Sequence, residues 1–175
     1  MQSLADIYKK YAAAPGEGFG DKGSTHSYID VYEKLLAPYR QSQPTLIEIG
    51  VAHGHSMAMW REYFSAGDGG GATLIGVDLH KDVYPRFAYG WTHFTADSTK
   101  ACPVSVEAQI IIDDGSHHAP DQIATFKLWS RLVRPSGLYI IEDVYDASLL
   151  KSLGGEVIDL RNGRRTNDQL VVVRM

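Results

Sequence analysis

The sequence predicts an α/β fold, a mostly parallel sheet with helices on both faces. Three observations predict it. Short apolar runs alternate with segments whose apolar residues recur at helical spacing. Those runs are nearly continuous in apolar character, as strands buried on both faces require. Acids stand where several runs end: Asp78, Asp97, Asp113-Asp114 and Glu142-Asp143. In an open parallel sheet, ligands bind beyond the carboxyl ends of the strands.

The elements follow in order. Leu4, Ile7, Tyr8 and Tyr11 share one helical face. Tyr28, Val31, Tyr32, Leu35 and Leu36 share another, after a Ser24-Thr25 start signal. The glycine-rich stretch between them reads as a mobile loop, with 15–24 closing over a ligand. TLIEIGV (45–51) is the first strand, followed by a helix with Met57, Trp60 and Phe64 inward. GDGGGA makes a turn, ATLIGVDL (72–79) a second strand and THFTAD (92–97) a third. AQIIIDD (108–114) is the fourth strand. A helix over about 120–133 follows, with Pro120 in its first turn and Ile123, Phe126 and Val133 on one face. RPSG breaks it before the fifth strand, GLYIIEDV (137–144). EVIDLR (156–161), a turn at Asn162-Gly163 and QLVVVRM (169–175) form a closing hairpin.

The chain has 175 residues, the size of one domain. Its 17 basic and 21 acidic side chains give a net charge of −4, without the basic field of a general nucleic-acid binder. Cys102 is the single cysteine, so neither an internal disulfide nor a thiolate metal cluster can form. The opening MQSLADIYKKYAAAP has no apolar core of a signal peptide, and no apolar run reaches a membrane span of about 18 residues. The expectation is a cytoplasmic protein with no membrane partner.

Glu48-Ile-Gly50-Val-Ala-His-Gly54-His-Ser56 joins the first strand to the first helix of the sheet. Gly50 and Gly54 allow close backbone approach. A dinucleotide fingerprint wants glycine at 50, 52 and 55, and positions 52 and 55 are Ala52 and His55. The looser turn suits a nucleoside ligand without pyrophosphate, such as S-adenosylmethionine (SAM). Asp78 is placed for both ribose hydroxyls, and Asp97-Ser98 for the adenine amino group.

The sharpest features are IIIDDGSHH (110–118) and YIIEDV (139–144). Asp114, Glu142 and Asp143 meet at neighbouring strand tips, about 4.8 Å apart. Clustered carboxylates repel unless a cation is present, and oxygen ligands select a hard one such as Mg²⁺, Mn²⁺ or Ca²⁺. Glu142 and Asp143 are adjacent, so both can bind one ion only if the chain turns there. His117 can take a proton from a hydroxyl, with His118 the other candidate. His53 and His55 read as loop residues; His26, His80 and His93 carry no predicted role.

DKGSTHSYIDVYEKLL, IEIGVAHGHS, GVDL, DDGSHH and IEDV together resemble the class I SAM-dependent methyltransferases. More narrowly they resemble the metal-dependent sugar O-methyltransferases of macrolide biosynthesis, of the mycinamicin and macrocin type. The resemblance runs from about Asp21 to Val144. It implies a single Rossmann-like domain over 1–175, with a helical cap over 1–44 and a core over 45–175. The sheet would have seven strands, the last antiparallel. It implies a reaction that turns an alcohol of a sugar, polyol or catechol into a methyl ether. Asp114, Glu142 and Asp143 would hold a divalent cation, Mg²⁺ first, with His117 the general base. Glu48, Gly50, Gly54, Ser56, Asp78, Leu79, Asp97, Ser98 and Asp113 would face SAM. The motif weakly favours ligand contacts for Lys22 and His26. Two other classes stay open: a non-catalytic SAM-binding partner protein, and a metal-dependent hydrolase, lyase or hydroxylase-like enzyme using the same acids. A homo-oligomer is a further expectation, with Tyr8, Tyr11, Tyr28 and Tyr32 offering aromatic surface to a partner subunit.

Overall fold

The computed structural model describes residues 1–12, 20–65, 71–80, 90–161 and 165–175. The predicted turns at 67–72 and Asn162-Gly163, and residues 15–19 of the predicted loop, lie largely or wholly outside them. Eleven regular elements follow: α1 (Leu4–Ala12), α2 (Ile29–Leu36), β1 (Thr45–Ile49), α3 (His55–Phe64), β2 (Thr73–Asp78), β3 (Thr92–Thr95), β4 (Ala108–Asp113), α4 (Ala119–Trp129), β5 (Val133–Ile141), β6 (Glu156–Asp159) and β7 (Gln169–Arg174). Short 3₁₀ turns cover Ala37–Tyr39, Ser130–Leu132 and Ala147–Leu153.

The seven strands form one sheet in the order β3-β2-β1-β4-β5-β7-β6. β1 to β5 pair in parallel, and β7 runs antiparallel between β5 and β6. Alternation sends successive side chains to opposite faces. Leu46, Ile110, Ile112, Leu138, Ile140, Leu170 and Val172 face α1, α2 and α3. Ile47, Ile49, Ile111, Tyr139, Ile141, Val171 and Val173 face the α4 side, with Trp129 and Leu150. The same parity decides the acids: Glu48 and Glu142 share the first face, and Asp113 sits on the second.

Three element boundaries differ from the sequence reading. β5 begins at Val133, so RPSG lies inside it, and the register with β4 shifts between Ala108 and Ile110. α4 ends at Trp129, and its buried stripe is Gln122, Thr125 and Trp129, with Ile123 and Phe126 half-buried. Gln122 Nε2 donates to the Glu142 carbonyl at 2.9 Å, capping the end of β5 from inside. The Ser24-Thr25 signal does not start α2. Residues 21–26 turn around the Asp21 carbonyl, which accepts from the Ser24, Thr25 and His26 amides, and the helix begins at Ile29.

The tyrosines turn inward. Tyr28 and Tyr32 are fully buried, and Tyr8 and Tyr11 are half-buried. Their hydroxyls donate to Asp143, Glu142, the Gly20 carbonyl and Glu62. Tyr28 and Tyr32 are therefore part of this fold's own interior, and Tyr8 and Tyr11 pack half-buried against it, each hydroxyl with an acceptor.

Candidate functional site

A cavity of about 900 Å³ opens over the carboxyl ends of β1 to β4. Its wall includes Gly50, Ser56, Asp78, Leu79, Asp97, Ser98, Asp114 and His117, with Tyr8, Tyr11 and Lys22 from the N-terminal segment. Glu48, Gly54, Asp113, Glu142 and Asp143 are not on that wall.

The β1–β3 side is held partly by sequence neighbours and partly by loops from other strand ends. Gly50 has φ 85°, and a Cβ there would lie 2.0 Å from the Asp114 carbonyl oxygen. Glycine is needed so that two strand-end loops can cross. Gly54 (φ 75°) is the left-handed residue that starts α3. Asp78 Oδ2 accepts the Val51 and Ala52 amides at 3.0 and 3.1 Å, and Oδ1 accepts the His80 amide at 3.0 Å. The acid thus fixes the loop as well as facing the cavity. Asp97 accepts from Thr99 and, at 2.7 Å, from Lys100; the Lys100 hydrogen bond and those of Thr99 hold its carboxyl down at about 2. Ser98 is pinned through its carbonyl by Trp129 Nε1 at 3.0 Å.

The β4–β5 side is different. Asp143 has φ 53°, so the chain does turn after Glu142. Glu142 stays on the sheet face, 1% exposed, beneath α2. Its Oε1 accepts from Lys22 Nζ at 2.6 Å and from the Tyr32 hydroxyl at 2.5 Å. Lys22 Nζ also reaches Asp114 Oδ2 at 2.8 Å and Glu48 Oε1 at 3.5 Å. Asp114 Oδ1 faces His117 Nε2 at 3.6 Å, and Asp143 Oδ2 faces His117 Nδ1 at 3.4 Å. Asp143 Oδ1 is held from inside by the Tyr28 hydroxyl at 2.7 Å, with His26 Nε2 3.2 Å away. Asp113 points to the opposite face, between the Tyr139 hydroxyl and the Gly115 amide.

Burial pushes Glu48 and Asp113 up to about 7 and raises Glu142 and Asp143. Burial acts on Asp114 too, but Lys22 and His117 hold it below its ordinary value. Burial would lower Lys22; Asp114, Glu142 and Glu48 outweigh it and keep it an ammonium. His117 is raised, first by Asp114 and against its own partial burial.

Two groups of side chains bring one ligand atom each within 4.8 Å: Asp114, His117 and Asp143, and Asp21, His26 and Asp143. Together with Glu142 beneath Asp114, these donors are oxygens and imidazole nitrogens, and an ammonium already sits where two of the carboxylates converge. The set fits a hard divalent cation.

Lys22, His26, Tyr28, Tyr32 and Asp168 take part in this cluster, and the residue pattern alone assigned none of them there. Asp168 Oδ1 lies 3.4 Å from His26 Nδ1 and accepts the Ser27 amide. The usable signal was DKGSTHSY itself: a lysine, a histidine and a tyrosine in a segment with no helical periodicity.

Comparison with known proteins agrees with this architecture. Residues 47–144 match a family described as a methyltransferase domain. The 8-demethyl-8-α-L-rhamnosyl tetracenomycin-C 2'-O-methyltransferase of Streptomyces olivaceus is 31% identical over 139 residues, 71% of this chain and 35% of that protein. The demethylmacrocin O-methyltransferase of Streptomyces fradiae is 28% identical over 137 residues, 71% of this chain and 33% of that protein. The chain thus spans about a third of the length of these relatives. Among solved structures, the MycE methyltransferase of the mycinamycin biosynthetic pathway, in complex with Mg and SAH, superposes with a TM-score of 0.72 at 22% identity. That match covers 99% of this chain and 55% of MycE. The match over 47–144 takes in more than half of the chain, including the strand tips that carry Gly50, Asp78, Asp114 and Glu142, and so this protein belongs to the methyltransferase domain family.

Proposed function

We propose that the chain is a SAM-dependent, divalent-cation-dependent O-methyltransferase acting on a hydroxyl of a small molecule, a sugar, polyol or catechol with a neighbouring oxygen. One observation carries this reading: Gly50, Asp78 and Asp97 share a single cavity wall with Asp114 and His117. A nucleoside held on the first side therefore lies beside a proton acceptor on the other. The Streptomyces olivaceus relative named above supports the acceptor class, since its name describes O-methylation of a rhamnosyl compound.

Asp78 and Asp97 orient the nucleoside, and the β1–α3 loop gives the methionine end its backbone contacts. Asp114, Asp143 and Glu142 would hold the cation, which lowers the pKa of the acceptor hydroxyl when bound. His117 takes the hydroxyl proton on a ring nitrogen. The acceptor oxygen then bonds to the methyl carbon as the carbon–sulfur bond breaks, leaving S-adenosylhomocysteine. Most of the acceleration comes from alignment of the two reactants.

The test combines calorimetry with SAM and Mn²⁺ and a turnover screen of glycosides, polyols and catechols. Binding of both, with methyl ether formed from vicinal oxygens only, is expected. Failure to bind SAM, or transfer only to amines or isolated alcohols, overturns the reading.

A further inference from the structure

Two of the three carboxylates read as cation ligands already converge on a cation, and it belongs to the chain. Lys22 Nζ lies 2.8 Å from Asp114 Oδ2, 2.6 Å from Glu142 Oε1 and 3.5 Å from Glu48 Oε1. The lysine side chain is 3% exposed, and its partners stand far from it in sequence. One ammonium faces three acids here, so a charge of about −2 remains when all are ionised. Glu48 Oε1 is buried without a hydrogen bond. Lys22 nonetheless borders the cavity, so its four-carbon stem has open space into which to withdraw.

We propose that Lys22 is a resident placeholder for the divalent cation: ammonium and metal occupy Asp114 and Glu142 in turn, never together. The lysine keeps the buried acids from repelling one another while the site is empty, because an unpaired buried charge is costly. A monovalent ion brings no more charge than the ammonium it would replace, so only a dication gains by displacing it. Lys22 thereby sets the ion selectivity of the site. This rests on the cation reading above and adds a competitor to it.

The first experiment uses the wild-type chain. Acetic anhydride labelling of Lys22, read by mass spectrometry, is compared in chelator and with saturating Mn²⁺. Labelling that is slow in chelator and rises several-fold with Mn²⁺ is expected. Labelling that stays slow with Mn²⁺ bound overturns the proposal and leaves the cation site standing on Asp114, His117 and Asp143. The second measures Mn²⁺ affinity of Lys22→Met by calorimetry at fixed pH. Affinity should rise at least about tenfold, the scale on which a neighbour of the ligands tunes metal binding. The variant should melt lower than wild type in chelator and recover with Mn²⁺. Unchanged or weakened Mn²⁺ binding overturns the proposal. No Mn²⁺ binding by either protein overturns the cation reading along with it.

Discussion

At the tips of β2 and β3, Asp78 and Asp97 are held by nearby backbone and side chains: Asp97 by Thr99 and Lys100, Asp78 by the loop at Val51-Ala52 and by His80. At the tips of β4 and β5, Asp114, Glu142 and Asp143 are held by Lys22, Tyr32 and Tyr28, from a segment 92 to 120 residues away. Asp78 and Asp97 are half-buried, and Lys100 and Thr99 hold the Asp97 carboxyl down. Glu142 and Asp143 are buried and Asp114 is half-buried beside them, and burial works against Lys22, His117 and the tyrosines in setting their charge. Asp97 is fixed by its neighbours in sequence and Asp78 by a loop 26 and 27 residues away, whereas Asp114, Glu142 and Asp143 are brought together from several elements, with Lys22 between two of them.

The comparison breaks most sharply at His117, which stands between two of the buried acids. His117→Ala should lower methyl transfer by on the order of 10²–10⁴, the usual contribution of a general base. SAM affinity, measured by calorimetry, should not change; a parallel loss of SAM binding would place His117 on the nucleoside side instead.

Asp143→Asn comes next. It keeps the shape and the Tyr28 contact but removes the charge that faces His117. Mn²⁺ affinity should fall by at least the roughly 10–100-fold that outer partners of metal ligands control. High Mg²⁺ should restore part of the activity.

On the other side, Asp78→Ala should weaken SAM binding by about 1–3 kcal/mol, since charge-assisted hydrogen bonds are lost. The Val51 and Ala52 amides lose their acceptor as well. Mn²⁺ affinity should stay unchanged, which separates the two sides.

Stability against pH sharpens the contrast further. Burial holds Glu48 and Asp113 up at about 7, above their ordinary values near 4. Between those limits the folded chain binds more protons than the unfolded one, so stability falls as pH rises and levels off above about 7. The raised His117 acts in the same direction. In chelator, melting should be several degrees lower at pH 8 than at pH 5, at about 2–4 °C per kcal/mol for a chain of this size. Saturating Mn²⁺ should reduce the difference, and a rise in melting temperature towards pH 8 would contradict the burial of these acids.

The smallest effect is expected at Lys100, whose side chain is 79% exposed against Asp97. Exposed pairs contribute little, so Lys100→Ala should leave the melting temperature unchanged.

Periodicity and end signals in the sequence determined the α/β class and the seven strands, and the closing hairpin together with the family resemblance gave the antiparallel last one. Each rests on local pattern: apolar runs long enough for a strand, helical spacing between them, a hairpin at the end. The acids at the tips were legible for the same reason, since a strand's end is a local property. Tertiary structure alone decided what those acids face. The parity of β1 and β5 turns Glu48 and Glu142 towards α2, and that of β4 sends Asp113 to the opposite side. The positive φ of Asp143 brings it back beside His117. Asp168 carries no local signal of its task, and DKGSTHSY marks Lys22 and His26 without revealing their partners, because those partners lie across the chain. Their roles depend on distances of 2.6 to 3.5 Å between groups that only the completed sheet and its N-terminal cover bring together.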